Sequence, residues 1–193
     1  MQSLRFEKRN AHNKILGCLV TGLIEMMMDI KMYRQREKLK CIEIGSHIGE
    51  SALIMSSFPF IEKFYCIEIK EDRAKVISER LRHIEDKVEI YNESSKTCHN
   101  KFTDASVDMI YIDTLHDYKN TKEHLELYVP KVKRGGFICG HDYRFTQTLE
   151  NTNGVKQAID EFMEQYKLKQ LMTYSDGSFC IIKNSTNRKN FRE

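Results

Sequence analysis

The sequence predicts an α/β fold: a seven-stranded, mostly parallel sheet with helices on both faces, one antiparallel strand in a C-terminal hairpin, and a helix ahead of the sheet. Three observations lead there. Cys41 to Ser51 (C-I-E-I-G-S-H-I-G-E-S) runs from strand character through two glycines into an apolar helical stretch. Short apolar runs then alternate with helical periods as far as residue 166, the pattern of βα units in a doubly wound parallel sheet. Finally, Asp176-Gly177 separates two apolar runs, a hairpin signal.

The elements follow in order. Residues 1–10 form a polar arm, and Ile15, Leu19, Leu23, Met26, Met27, Ile30 and Tyr33 recur at helical spacing across 11–37. The cluster Met26 to Met28 there is core packing, a flexible wall over a substrate, or a dimer face. Strands are expected at 40–44, 63–69, 88–91, 107–113 and 137–140, with helices at 51–57, 71–84, 118–128 and 154–166. The hairpin joins 171–174 to 179–183. The expected organisation is an N-terminal arm and helical cap over 1–37, one domain over 38–183 and a polar tail over 184–193.

Composition excludes several classes. A chain of 193 residues makes one domain with a full core. Lys and Arg outnumber Asp and Glu by 31 to 28, a net charge of +3 that does not suggest a nucleic-acid partner. The cysteines at 18, 41, 66, 98, 139 and 180 are spread singly, which reads as buried thiols in a reducing compartment. The first fourteen residues are polar and basic, unlike a signal peptide, and 15–24 is too short to span a bilayer. The expectation is a soluble cytoplasmic protein with no membrane partner.

In parallel sheets, ligands sit at the carboxyl ends of the strands. Here those ends carry Glu43 with the glycine turn, Glu68, Asn92-Glu93-Ser94, Asp113 and Gly140-His141-Asp142. The turn lacks the three glycines of a pyrophosphate loop and the G-K-[ST] of a P-loop. Its acid, Glu43, suits a ligand with an amino group; the plain alternative is a strand-turn-helix without a ligand. Glu68, 23 residues after Gly45, is placed to accept from a ribose, and Ile67 and Ile69 are expected to bury that strand.

Five segments together resemble the class I S-adenosylmethionine-dependent methyltransferases, which have a Rossmann-like fold, and within them the macrolide-sugar, rhamnose and related small-molecule O-methyltransferases. They are E-I-G-S-H-I-G-E-S (43–51), Y-C-I-E-I (65–69), Y-I-D-T-L-H-D-Y (111–118), V-P-K-V-K-R-G-G-F-I-C-G-H-D-Y (129–143) and G-V-K-Q-A-I-D-E-F (154–162). The resemblance spans roughly 38–183. It implies that Glu43, Gly45, Ser46 and Gly49 hold the methionine part of the donor, that Glu68 takes the ribose, and that Glu93 and Ser94 lie along the adenine. His47, Ser51, Ile69, Asp113 and His116 complete the implied cofactor-binding set.

A hydroxyl acceptor is scarcely ionised at neutral pH, so it needs a general base or a cation. His116, with Asp113 three residues before it, fits the base; the alternative is a capping or surface histidine. Asp113 and Asp142 fit ligands for Mg²⁺. Where metal-using members of the family carry two adjacent acids, this chain has His141-Asp142, so Mn²⁺ or no metal at all is open as well. The expected function is methylation of a hydroxyl on a sugar, glycan or other small polyol. The alternatives are a protein or nucleic-acid methyltransferase, although Asp113-Thr114-Leu115-His116 stands where an N/D-P-P-[FY] motif would, and a non-catalytic donor-binding subunit. A homodimer is a further expectation.

Overall fold

The computed structural model describes residues 21–34, 37–143 and 154–183. Seven strands form one sheet in the order β3-β2-β1-β4-β5-β7-β6. The strands are β1 (Leu39–Ile44), β2 (Ile61–Ile67), β3 (Val88–Tyr91), β4 (Val107–Ile112), β5 (Val132–Gly140), β6 (Leu171–Thr173) and β7 (Phe179–Ile182). Strands β1 to β5 are mutually parallel, while β7 runs antiparallel to both β5 and β6. The single antiparallel strand expected from Asp176-Gly177 is therefore present.

Two apolar layers enclose the sheet, because alternate residues of a fully buried strand face opposite sides. On one side Leu39, Cys41, Phe64 and Met109 meet helix α1 (21–33), α2 (Glu50–Ser57) and α3 (Glu71–Arg80). On the other, Ile42, Ile44 and Ile110 meet α4 (Ser95–Cys98), α5 (Tyr118–Tyr128) and α6 (Gly154–Gln165). Met26 and Met27 are core residues, while Met28 points outward with Ile24 and Met32. Cys41, Cys66, Cys98, Cys139 and Cys180 are free and buried.

The boundaries of several elements differ from expectation, by more than one residue in β2, α3 and β5 and in α1, which ends at residue 33 rather than 37. β2 starts at Ile61 and stops at Ile67, which puts Glu68 just beyond the strand. α3 ends at Arg80, followed by a 3-10 turn at Arg82–Ile84. β5 begins five residues early, because Gly135 and Gly136 exchange backbone hydrogen bonds with Lys183. The short α4 was not anticipated; the Ser94 side chain caps it by accepting the Lys96 N–H. Residues 11–20 of the expected first helix, the 144–153 loop, Cys18 and the 184–193 tail lie outside the described residues. No helix among the described residues is long and apolar enough to cross a membrane.

The strand order reverses between β1 and β4, so a crevice opens where their carboxyl ends diverge. All the expected site residues lie at or beside that crevice.

Candidate active site

The turn after β1 is built by backbone geometry. Gly45 adopts φ 89°, and the Gly45 and Ser46 N–H groups both donate to the Ile67 carbonyl, at 3.0 and 3.1 Å. A Cβ at Gly45 would stand 2.1 Å from the Asp113 carbonyl oxygen, so only glycine lets β1 and β4 approach here. Gly49, at φ 79°, is the N-cap of α2.

Glu68 latches this turn to the next loop. Its Oε2 accepts the His47 N–H at 2.8 Å and its Oε1 the Lys70 N–H at 2.9 Å, and the side chain is only 5% exposed. Each oxygen keeps a second lone pair for a ligand hydroxyl. Its neighbour Ile69 does not bury the strand as expected: it lies past the strand end and is 65% exposed.

Glu43 is sealed beneath the turn on the α1–α2 side of the sheet. Its Oε1 accepts the Ser51 hydroxyl at 2.5 Å, whereas no hydrogen bond reaches its Oε2. Burial pushes the Glu43 carboxyl up to about 7, against the stabilising effect of the serine hydroxyls. An unpaired buried carboxylate oxygen is costly, and an ammonium group would satisfy it. That is the fit expected for the amino-acid end of S-adenosylmethionine.

Above the turn lies a cleft of about 670 Å³, well sized for a nucleoside-bearing ligand. Gly45, His47, Glu68, Ile69, Glu93, Ser94, Asp113 and His116 from the expected set line it. Glu43, Ser46, Gly49 and Ser51 do not; they form the layer underneath. Glu93 is held by Lys101 at 2.5 Å. Sequence reasoning missed Leu115, which is 68% exposed on the same cleft as Ile69. It also missed Ser95, Asn120 and His124. A signal for His124 was present: it is a polar residue on the α5 face that carries Thr121, Leu125 and Tyr128.

The second constellation gathers at the ends of β4 and β5. The Asp113 N–H donates to the Ile44 carbonyl and the His141 N–H to the Ile112 carbonyl, which fixes both backbones to neighbouring strands. His116 and Asp142 both have left-handed backbones, at φ 58° and 63°, conformations that cost energy for side chains other than glycine. His116 Nδ1 pairs with Asp142 Oδ2, and His116 Nε2 lies 3.7 Å from Asp113 Oδ1. His141 Nδ1 lies 3.2 Å from the other Asp142 oxygen.

The electrostatics follow this geometry. The Asp142 hydrogen bond raises the His116 pKa against the effect of burial. Burial opposes ionisation of Asp142, but the two histidines outweigh it and hold that carboxyl well below the usual range. Burial raises Asp113, only partly offset by His141 and His116. Asp113, His141 and Asp142 offer one ligand atom each within 4.8 Å of one another, a spacing that a single cation can bridge.

With this geometry in place, the family is decided by the sequence from Ile42 to Tyr143. Residues 42–143, more than half of the chain, match the family model described as a methyltransferase domain. The chain belongs to this family. It is an S-adenosylmethionine-dependent methyltransferase. No curated protein matches the sequence.

Solved structures agree with the methyltransferase fold. A provisionally assigned caffeoyl-CoA O-methyltransferase from Staphylococcus aureus is 22% identical with a TM-score of 0.69, covering 84% of this chain and 82% of its own. The O-methyltransferase TomG from Streptomyces achromogenes, solved with S-adenosylmethionine, is 16% identical with a TM-score of 0.60 over 79% and 77%. A provisionally assigned rRNA methylase from Clostridium thermocellum is 16% identical with a TM-score of 0.63 over 85% and 96%.

Proposed function

We propose that this methyltransferase methylates a hydroxyl of a small acceptor, a sugar or other polyol, with His116 as the general base. The observation that carries this reading is the His116–Asp142 pair at the rim of the donor cleft. With Nδ1 occupied by Asp142, the neutral imidazole presents Nε2 as its basic atom. The acceptor hydroxyl gives its proton to Nε2 while its oxygen attacks the methyl carbon. The carbon–sulfur bond breaks, and its electron pair stays on sulfur, leaving a neutral thioether. A positioned base of this kind is worth typically about 10²- to 10⁴-fold in rate.

Supporting the donor's orientation, the glycine turn faces its amino-acid end with the Glu43 carboxyl in the layer beneath, Glu68 faces its ribose, and Ile69 and Leu115 the two flanks of its base. S-adenosylmethionine supplies an activated methyl group on a sulfonium. The names of the S. aureus and S. achromogenes structures support oxygen as the atom methylated. Asp113, His141 and Asp142 would hold a divalent cation, and the imidazole among them favours Mn²⁺ over Mg²⁺. Such an ion would stabilise the negative charge developing on the acceptor oxygen.

The C. thermocellum likeness favours one rival, an RNA acceptor. A single assay separates the two readings: labelled donor offered in parallel to sugars and polyols and to RNA. Label in a polyol supports the proposal, and label in RNA alone overturns it. His116→Ala should keep donor affinity within about 2-fold while turnover falls at least about 100-fold. An unchanged rate would remove the base assignment.

A further inference from the structure

A second groove, of about 490 Å³, lies between α5 and α6 and shares no lining residue with the donor cleft. The two helices start together, since a Cβ at Gly154, the first residue of α6, would stand 2.4 Å from the backbone nitrogen of Tyr118, the first of α5. Leu125, Val129, Ala158 and Phe162, all buried, make the floor of the groove, and the Tyr166 ring stands 4.8 Å from that of Phe162. The rim carries two acids. Glu161 already meets the Lys122 ammonium at 3.6 Å, whereas Glu126 is exposed and makes no ion pair among the described residues. An apolar floor beside an unpaired carboxylate suits an aromatic side chain flanked by cations.

The chain itself supplies that pattern. Lys183 is anchored at the far end of this groove, where its ammonium donates to the Val129 and Val132 carbonyls at 3.0 and 2.6 Å. Residues 184–193 follow, N-S-T-N-R-K-N-F-R-E. Phe191 is their one large apolar residue, and Arg188, Lys189 and Arg192 flank it against a single acid, Glu193. Phe191 comes eight residues after Lys183, a reach of up to about 26 Å. The groove follows α5 only from Lys122 to Pro130, about 12 Å, so every part of it is within range.

We propose that residues 184–193 dock along the groove between α5 and α6, with Phe191 on the floor of Leu125 and Phe162 and the basic residues against Glu126. One aromatic anchor and a few rim charges hold a free peptide only weakly. Attachment at Lys183 supplies an effective concentration on the order of millimolar, which favours this segment over a separate partner.

The test uses the full chain with the photocrosslinker p-benzoylphenylalanine in place of Phe191, as a mixture of isotopically labelled and unlabelled protein, so that links within and between copies differ in mass. Irradiation should join position 191 to peptides covering 122–130 and 158–166 of the same copy. Links between copies would make a second chain the occupant, and links elsewhere, or none, would leave the groove without this segment; each result overturns the proposal. Glu126→Arg, a change on an exposed side chain, should lower the yield of these links about 3-fold. In the protein without the crosslinker, Phe191→Ala should speed amide exchange in the same two segments by at least a similar factor. A yield unchanged by Glu126→Arg would remove the charge complementarity that selects this occupant, and exchange unchanged by Phe191→Ala would remove its anchor.

Discussion

Glu43 shows how one side chain links stability to function. Its carboxyl rises from 4.5 to about 7 because burial removes water and leaves Oε2 without a partner. The folded state therefore binds more protons than the unfolded chain between those values. This group's stabilising contribution is complete below about 4.5 and is lost as the pH rises through 7, a change of about 3 kcal/mol. A ligand ammonium held at the turn above it reverses the preference, since the positive charge favours the ionised form. Glu43→Gln should therefore melt at a higher temperature than wild type at pH 8. It should also bind S-adenosylhomocysteine about 10-fold more weakly there. Melting curves and calorimetry at pH 5 and 8 check both, and a variant less stable at pH 8 would contradict the buried, strained carboxyl.

At the level of elements, the unit of β1, its glycine turn and α2 was legible because each part has a local signature: apolar strand, positive-φ glycine, helical run. Gly45→Ala attacks that unit directly. It forces a Cβ into a left-handed backbone and to within 2.1 Å of the Asp113 carbonyl. The expected cost exceeds about 1 kcal/mol, together with loss of donor binding, because β1 must move away from β4. Denaturant melts measure the first effect and calorimetry the second. Wild-type stability in the variant would mean that the turn is not closed as described. The early part of β5 was not legible in the same way. Val132 to Gly136 lacks apolar alternation, and it joins the sheet through Lys183, whose backbone pairs with Gly135 and Gly136 and whose ammonium donates to the Val129 and Val132 carbonyls.

Across the whole molecule, the donor cleft is lined from both helical layers: Arg73 comes from α3, Asn120 and His124 from α5. A ligand there braces the two layers together. At about 100 times its Kd, S-adenosylhomocysteine should add roughly 2.7 kcal/mol and raise the Tm by several degrees. Mn²⁺ should add a further shift larger than that of Mg²⁺, and His141→Ala should abolish the difference. Scanning fluorimetry reads each of these. Flat melting temperatures with the thioether would count against the cleft as the donor site.

By itself, the sequence determined the alternation of strands and helices, the glycine turn, the hairpin, and which acids and histidines stand at strand ends, because periodicity and turn chemistry act over a few residues. Only the tertiary structure decided that Glu43 is sealed away from water, that Asp142 is shared between His116 and His141, and that His124 meets Ser95. Those contacts join residues separated by up to 29 positions, and their meeting depends on strand order and on which helix covers which face, information that no local spacing carries.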